Sequence, residues 1–268
     1  MSRVVLITGA SAGIGKACAE RLARNGWRVF GAQRRTATSD AAGIEMIAMD
    51  VTDDATVAHA VAAVHQRAGR IDAVINNAGY ALMGAVEDTS IDEARAQLET
   101  NFFGVLRVCR AVLPIMRAQG GGHIVNISSL AGVLGLPFSG MYSASKFALE
   151  GMSESLRLET RRFGIRVVLV EPGDFDTDLP NQRRRAAAAA DNATYRDAMT
   201  KVEAQQAKDE AAAPKPDGVA ALVERILDDR HPRLRRSVGM LGQRIVVPLK
   251  RFLPQRWFEA ALVRVLGL

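Results

Sequence analysis

Near its start the chain runs Val4-Val5-Leu6-Ile7, wholly apolar and mostly β-branched, and passes directly into Thr8-Gly9-Ala-Ser11-Ala12-Gly13-Ile14-Gly15. A run of that kind suits a strand buried on both faces, as parallel sheets require. The residues after the glycine loop suit a helix to about Asn25-Gly26, where the glycine reads as a stop. Strand, glycine loop and helix together make a phosphate site. Glycines let the backbone approach a pyrophosphate, and the helix N-terminus offers unpaired N–H groups and a partial positive charge.

The rest of the chain repeats the unit. Strands are expected at Arg28 to Ala32, Ile44 to Met49, Asp72 to Ile75, His123 to Ser128, Arg166 to Val170 and Arg236 to Met240. Helical patterns fall between them, including one long helix from about Asp92 to Arg117 that carries Asn101, and another from Asp217 to Asp229. Alternation of this kind predicts one Rossmann-like domain over residues 1–268: a doubly wound parallel sheet of about seven strands, helices on both faces in three αβα layers, and ligands at the carboxyl edge. The second strand ends at Gln33-Arg34-Arg35, with no acid to accept from a ribose 2'-hydroxyl and with Arg34 placed to accommodate a 2'-phosphate. NADP(H) is therefore favoured over NAD(H). Further along that edge, Asp50 and Val51 are candidates to meet the adenine, Asn77-Ala78-Gly79 forms a small-residue turn, and Pro172, Gly173, Phe175 and Thr177 come after the sixth strand.

Tyr142 and Lys146 stand four residues apart at the head of an apolar helical pattern, so they share a helix face. A free phenol titrates near ~10, but an ammonium ~4 Å away is worth roughly 4 kcal/mol at an effective dielectric of ~20, enough to lower that value by up to ~3 units. The expectation is a tyrosine made acidic by lysine. Ser129, after the strand-like run at 123–128, could reach the oxygen that the tyrosine protonates. The set reads as carbonyl and alcohol chemistry.

Composition narrows the alternatives. A chain that is 48% hydrophobic and 24% charged is ordinary for a globular protein. Cys18 and Cys109 sit in helical patterns far apart, as small buried hydrophobes of a reducing compartment, and with no long apolar run the expectation is a cytoplasmic protein. A net charge of +6 comes without any nucleic-acid-binding motif, and His59, His65, His123 and His231 lack metal-ligand spacing, so neither nucleic acid nor metal is expected. The polar, alanine-rich stretch within 174–216, with Arg183-Arg184-Arg185, reads as a partly helical substrate lid. Residues 243–268 read as an amphipathic extension whose last helix, from Pro254, either packs on protein or makes weak contact with a membrane surface.

With Thr8-Gly9-x-x-x-Gly13-Ile14-Gly15, Asn77-Ala78-Gly79, Asn101, Ser129, Tyr142-x-x-x-Lys146 and Pro172-Gly173 in this order, the chain resembles the short-chain dehydrogenase/reductase family over about residues 3–240. The stretch Gly135-Leu-Pro-Phe-x-x-x-Tyr142-x-Ala-Ser-Lys146-Phe-Ala-Leu-Glu-Gly is most similar to the hydroxysteroid and retinol dehydrogenase branches. The resemblance implies a catalytic tetrad of Asn101, Ser129, Tyr142 and Lys146. In it Tyr142 exchanges the proton, Ser129 holds the substrate oxygen, Lys146 binds the nicotinamide ribose and Asn101 anchors a water leading to Lys146. It also implies the strand order 3-2-1-4-5-6-7 and a homodimer or homotetramer. One departure is Ala12, a position often basic in NADP-using members, which leaves that preference to Arg34. Leu134, Leu136, Phe138, Met141, Met83, Phe175 and Leu179 are candidates for an apolar pocket taking a bulky lipophilic substrate. A 3-oxoacyl thioester met by Arg183 to Arg185 is the narrower alternative, and a nucleotide-binding sensor without turnover is the alternative of another class.

Overall fold

Residues 2–34, 43–177 and 183–268 are described by the computed structural model; Arg35 and Leu179 lie outside them. In chain order the strands are β1 (Val4–Thr8), β2 (Arg28–Gln33), β3 (Glu45–Ala48), β4 (Ala73–Asn76), β5 (Leu82–Met83), β6 (Gly122–Ile127), β7 (Ile165–Pro172), β8 (Arg184–Arg185) and β9 (Arg235–Val238). The helices are α1 (Gly13–Arg24), α2 (Asp54–Ala68), α3 (Ile91–Leu98), α4 (Gly104–Ala118), α5 (Gly140–Thr160), α6 (Ala193–Ala211), α7 (Asp217–Asp228), α8 (Leu241–Phe252) and α9 (Gln255–Leu266).

Seven strands form one sheet in the order β3-β2-β1-β4-β6-β7-β9, every pair parallel, which is the expected order once the short pair β5 and β8 is set apart. Strand pleating explains the layers. Val4 and Leu6 face a core built with Val57 and Val61 of α2, Val108 and Val112 of α4 and Leu149 of α5. Val5 and Ile7 face the other core, with Cys18 and Leu22 of α1 and Val219, Val223 and Ile226 of α7. Both cysteines are buried and unpaired. All strands of the sheet run the same way, so their carboxyl ends and the loops leaving them come to one edge.

The helix expected from Asp92 to Arg117 is three pieces. α3 and α4 are joined by a wide π-type turn, Glu99–Phe103, with Asn101 buried at its centre. Single turns of this kind inside α-helices are rare and are frequent at functional sites. Here Asn101 bonds the backbone of Tyr80 at both its amide atoms, 3.1 and 3.0 Å, and donates to Ser145 Oγ at 3.1 Å.

A buried polar ladder crosses from the sheet to α5. Asn76 Nδ2 donates to Asn126 Oδ1 at 2.8 Å, and Asn126 Nδ2 donates to Ser153 Oγ at 2.8 Å. Removing the middle group leaves buried partners unpaired, at about 1–3 kcal/mol for each neutral group. The Asn126→Leu variant is expected to lose about 2–4 kcal/mol in urea unfolding while its midpoint shifts without a change of slope.

Candidate active site

A cavity of about 790 Å³ opens at the sheet's carboxyl edge. Its walls come from separate loops: Gly9, Ser11, Ala12, Gly13 and Ile14 after β1, Arg34 after β2, Asp50 and Val51 after β3, Asn77, Ala78 and Gly79 after β4, and Thr177 beyond β7. Each of these was a candidate on sequence grounds. The first turn of α1 has no side-chain cap and no acid, so its N–H dipoles face the cavity uncompensated, as a phosphate would need.

The glycines are fixed by clearance. Gly9 has φ of +67°, and a Cβ at Gly15 would stand 2.3 Å from the Gly9 carbonyl oxygen and 2.5 Å from Asn77 Nδ2. Gly15 thus supports the loop from behind and is not among the cavity-lining residues. Asn77 ties the loop to the next turn, donating to the carbonyls of Thr8 and Gly9 at 3.1 Å each, while Thr8 Oγ1 accepts from the N–H groups of Asn77 and Ala78 at 2.9 and 3.0 Å.

Asp50 is held ionised. Burial pushes its carboxyl up, but bonds from Thr52 N–H and Oγ1, at 2.9 and 2.7 Å, and the Arg34 and Arg107 charges outweigh that and bring it below the ordinary carboxylate range. Tyr80, Arg183 and Arg184 are among the lining residues that were not singled out for this role. The guanidinium of Arg184 lies 4.3 Å from the Tyr80 ring centroid, and the short parallel pair β5 and β8 brings the two together across a hundred residues. No local pattern in either segment announces that pairing.

Ser129, Tyr142 and Lys146 gather beside this cavity around the end of β6 without lining it. Lys146 is buried, its Nζ donates to the Ile127 carbonyl at 2.8 Å, and it stands 5.9 Å from the Tyr142 ring centroid. Desolvation depresses its pKa from 10.5 to about 8, with the Glu150 charge opposing. Tyr142 departs from expectation. Burial raises its pKa, and contact with the Ser129 hydroxyl and the Arg183 charge only partly offset this, while the Asp174 charge reinforces it. The ammonium is engaged by the Ile127 carbonyl, and the anticipated lowering of the phenol by lysine is absent.

Four other candidates fall elsewhere. Asn101 bonds Tyr80 and Ser145 directly. Phe175 is buried in the core shared with α7 and does not line the cavity. Pro172 ends β7, and Gly173 donates its N–H to Val238 O at 2.8 Å while Gln243 Oε1 occupies the space where a side chain would begin, 2.2 Å from an added Cβ. Among the apolar candidates Met83 and Leu134 are buried, whereas Leu136, Phe138 and Met141 are partly open. Phe138, at a φ of +57°, meets Tyr195 of α6 edge-on at 6.1 Å.

The family model described as short chain dehydrogenase matches residues 3–188. The chain belongs to the short-chain dehydrogenase/reductase family. It is similar to the 3-ketodihydrosphingosine reductase of Bacteroides thetaiotaomicron, 40% identical over 97% of this chain and 96% of that one. Bovine retinol dehydrogenase 8 is 34% identical over 88% of this chain and 81% of its own. A solved short-chain dehydrogenase from Streptomyces avermitilis superposes with a TM-score of 0.83 at 34% identity, covering 97% and 98% of the two chains. This short-chain dehydrogenase is accordingly an NAD(P)-dependent oxidoreductase with the Rossmann-like architecture that its strand alternation predicts.

Burying Lys146 carries a pH signature. Between its folded value of about 8 and the ordinary 10.5, the unfolded chain binds the extra proton, so folding weakens as pH falls through that window and stays weakest below it. The cost at neutral pH is about 3 kcal/mol. In urea titrations the stability advantage of Lys146→Met over the wild type is expected to shrink by about 2 kcal/mol between about pH 7 and pH 9.5.

Proposed function

We propose that the protein interconverts an alcohol and a carbonyl on a bulky lipophilic substrate, with NADP(H) as its cofactor. The observation that carries this reading is a half-buried tyrosine, with a serine hydroxyl against it and a lysine on the next helical turn, set beside a glycine-walled cavity with an arginine at its ribose end. Gly9, Ser11, Ala12, Gly13, Ile14 and the first turn of α1 would hold the pyrophosphate, Asp50 and Val51 the adenine, and Arg34 the 2'-phosphate. When bound, the nicotinamide supplies or accepts the hydride.

The chain's own residues handle the proton. Tyr142 is protonated at neutral pH in the free protein, the form that can donate to a carbonyl oxygen during reduction. Ser129 would hold that oxygen by a hydrogen bond, and Lys146, released from the Ile127 carbonyl, would bind the ribose hydroxyls and bring its charge to the phenol. Asn101 would keep α5 in register through Ser145.

Support for a lipophilic substrate comes from the partly open apolar residues Leu136, Phe138 and Met141 beside Tyr142, and from two similar proteins named for lipids, a ketodihydrosphingosine and a retinol. The thioester alternative loses its main argument: Arg183 pairs with Glu210, Arg185 with Glu203 at 2.5 Å, and Arg184 lies on Tyr80. Phe103 and Phe147, exposed on adjoining elements, support a homo-oligomer.

Two outcomes test the reading. Tyr142→Phe is expected to retain NADPH binding, followed by nicotinamide fluorescence, and to lose about 10²–10⁴-fold in turnover of a long-chain ketone; undiminished turnover rejects the tyrosine as acid. Arg34→Ala is expected to weaken NADPH binding by about tenfold and leave NADH binding unchanged, and an equal effect on both nucleotides refutes the 2'-phosphate assignment.

A further inference from the structure

Helix α8 is assembled the wrong way round for a helix lying on a soluble domain. Two of the side chains it turns toward the protein, beside the half-buried Val246, are polar and bonded. Gln243 accepts from Asp174 N–H at 3.0 Å and donates to the Asp174 carboxylate at 2.5 Å, and Lys250 donates to the Val133 carbonyl at 2.7 Å. The side chains it turns outward are Leu241, Ile245, Leu249 and Phe252, which are 68, 45, 41 and 78% exposed. At 100° per residue these four fall within an arc of about 80°, a continuous apolar stripe facing solvent. Trp257 and Val265 of α9 are exposed as well, whereas Phe258 of the same helix is buried.

The charge around the stripe is one-sided. Residues 241–268 contain five Lys and Arg and one acid, Glu259, while the preceding 240 residues hold 30 basic against 28 acidic. The α8 sequence has no acid, and Arg244 is exposed beside the stripe. A second copy docking stripe on stripe would set these cations against their own equivalents. A surface with apolar depth and anionic headgroups complements both features at once.

We propose that α8, with the start of α9, is a docking face for an anionic lipid bilayer, on which the enzyme takes its substrate from the membrane surface. The last helix was the sequence-level candidate; the exposed stripe moves the contact to the helix before it. α8 also borders the reaction site, because Gln243 holds Asp174, whose charge reaches Tyr142, and Lys250 holds the loop between Ser129 and Tyr142. Docking would thus put the site's wall at the lipid interface. The proposal rests on the lipophilic-substrate reading only for its purpose, since binding itself is measured without turnover. Among the described residues no helix is long and apolar enough to cross a membrane, so the contact is interfacial.

The test is flotation of the full chain with vesicles of phosphatidylcholine alone and with roughly three parts in ten of phosphatidylglycerol, at low and high salt. The wild type is expected to float with the anionic vesicles and to be released by salt. The triple variant Ile245→Gln, Leu249→Gln, Phe252→Gln should float roughly tenfold less or weaker still. Nucleotide binding and reduction of a short, water-soluble ketone serve as controls of folding and chemistry and should be unchanged in the variant. Wild type that stays in solution, or a variant that floats equally well, overturns the proposal. So does a wild type that fails to float and whose sedimentation shows an oligomer that the triple variant splits, which would assign the stripe to a second copy. Absence of turnover on every ketone, with flotation intact, would instead sink the functional reading and leave the docking face standing.

Discussion

The amide of Asn77 closes the distance between two loops on which everything else at the carboxyl edge is hung. It donates to the carbonyls of Thr8 and Gly9, and the hydroxyl of Thr8 returns two bonds to the backbone that carries Asn77. Gly15 fits under this clamp with no room for a methyl group. The ends of β1 and β4 are therefore a single rigid corner, and α1 leaves it at a fixed angle with its N-terminus toward the cavity. A parallel sheet supplies the edge; the clamp turns that edge into a shaped site.

Much of the architecture was legible because its causes are local. Val4 to Ile7 alternate between two cores from one residue to the next, the glycine loop must bend sharply, and each strand pattern sits between helical ones, so a parallel sheet of about seven strands could be anticipated, while their order came from the family resemblance. What escaped has distant causes. The π-type turn at Glu99–Phe103 answers to Tyr80 and Ser145, 21 and 44 residues from Asn101. Arg184 meets Tyr80 through two two-residue strands that no pattern marks. Helix α8 was missed as a separate element because its polar residues face inward, inverting the stripe by which a surface helix is normally recognised.

The tyrosine shows the same limit in electrostatic form. Spacing places Lys146 on the face of Tyr142, but whether the ammonium helps the phenol depends on what else competes for it. The Ile127 carbonyl accepts a hydrogen bond from it, and burial disfavours its charged form. Behind it lies a second layer: Arg235 reaches Glu150 at 2.8 Å, Glu154 at 2.5 Å and Glu171 at 3.4 Å, so two buried carboxylates on neighbouring elements share one cation. The Glu150 charge favours a protonated Lys146, which links the edge strand β9 to α5 through electrostatics and not through contact alone.

Gln243 gives the C-terminal extension a different status from an appended tail. Its side chain fills the space that Gly173 leaves open and grips Asp174, so residue 243 is keyed into the loop after β7. Length changes between Val238 and Gln243 would withdraw that key, and any side chain at position 173 would have to expel it. At the other end of α9, Val265 and Leu268 are exposed. The near end of the extension is thus built into the loop after β7, whereas its far end faces solvent.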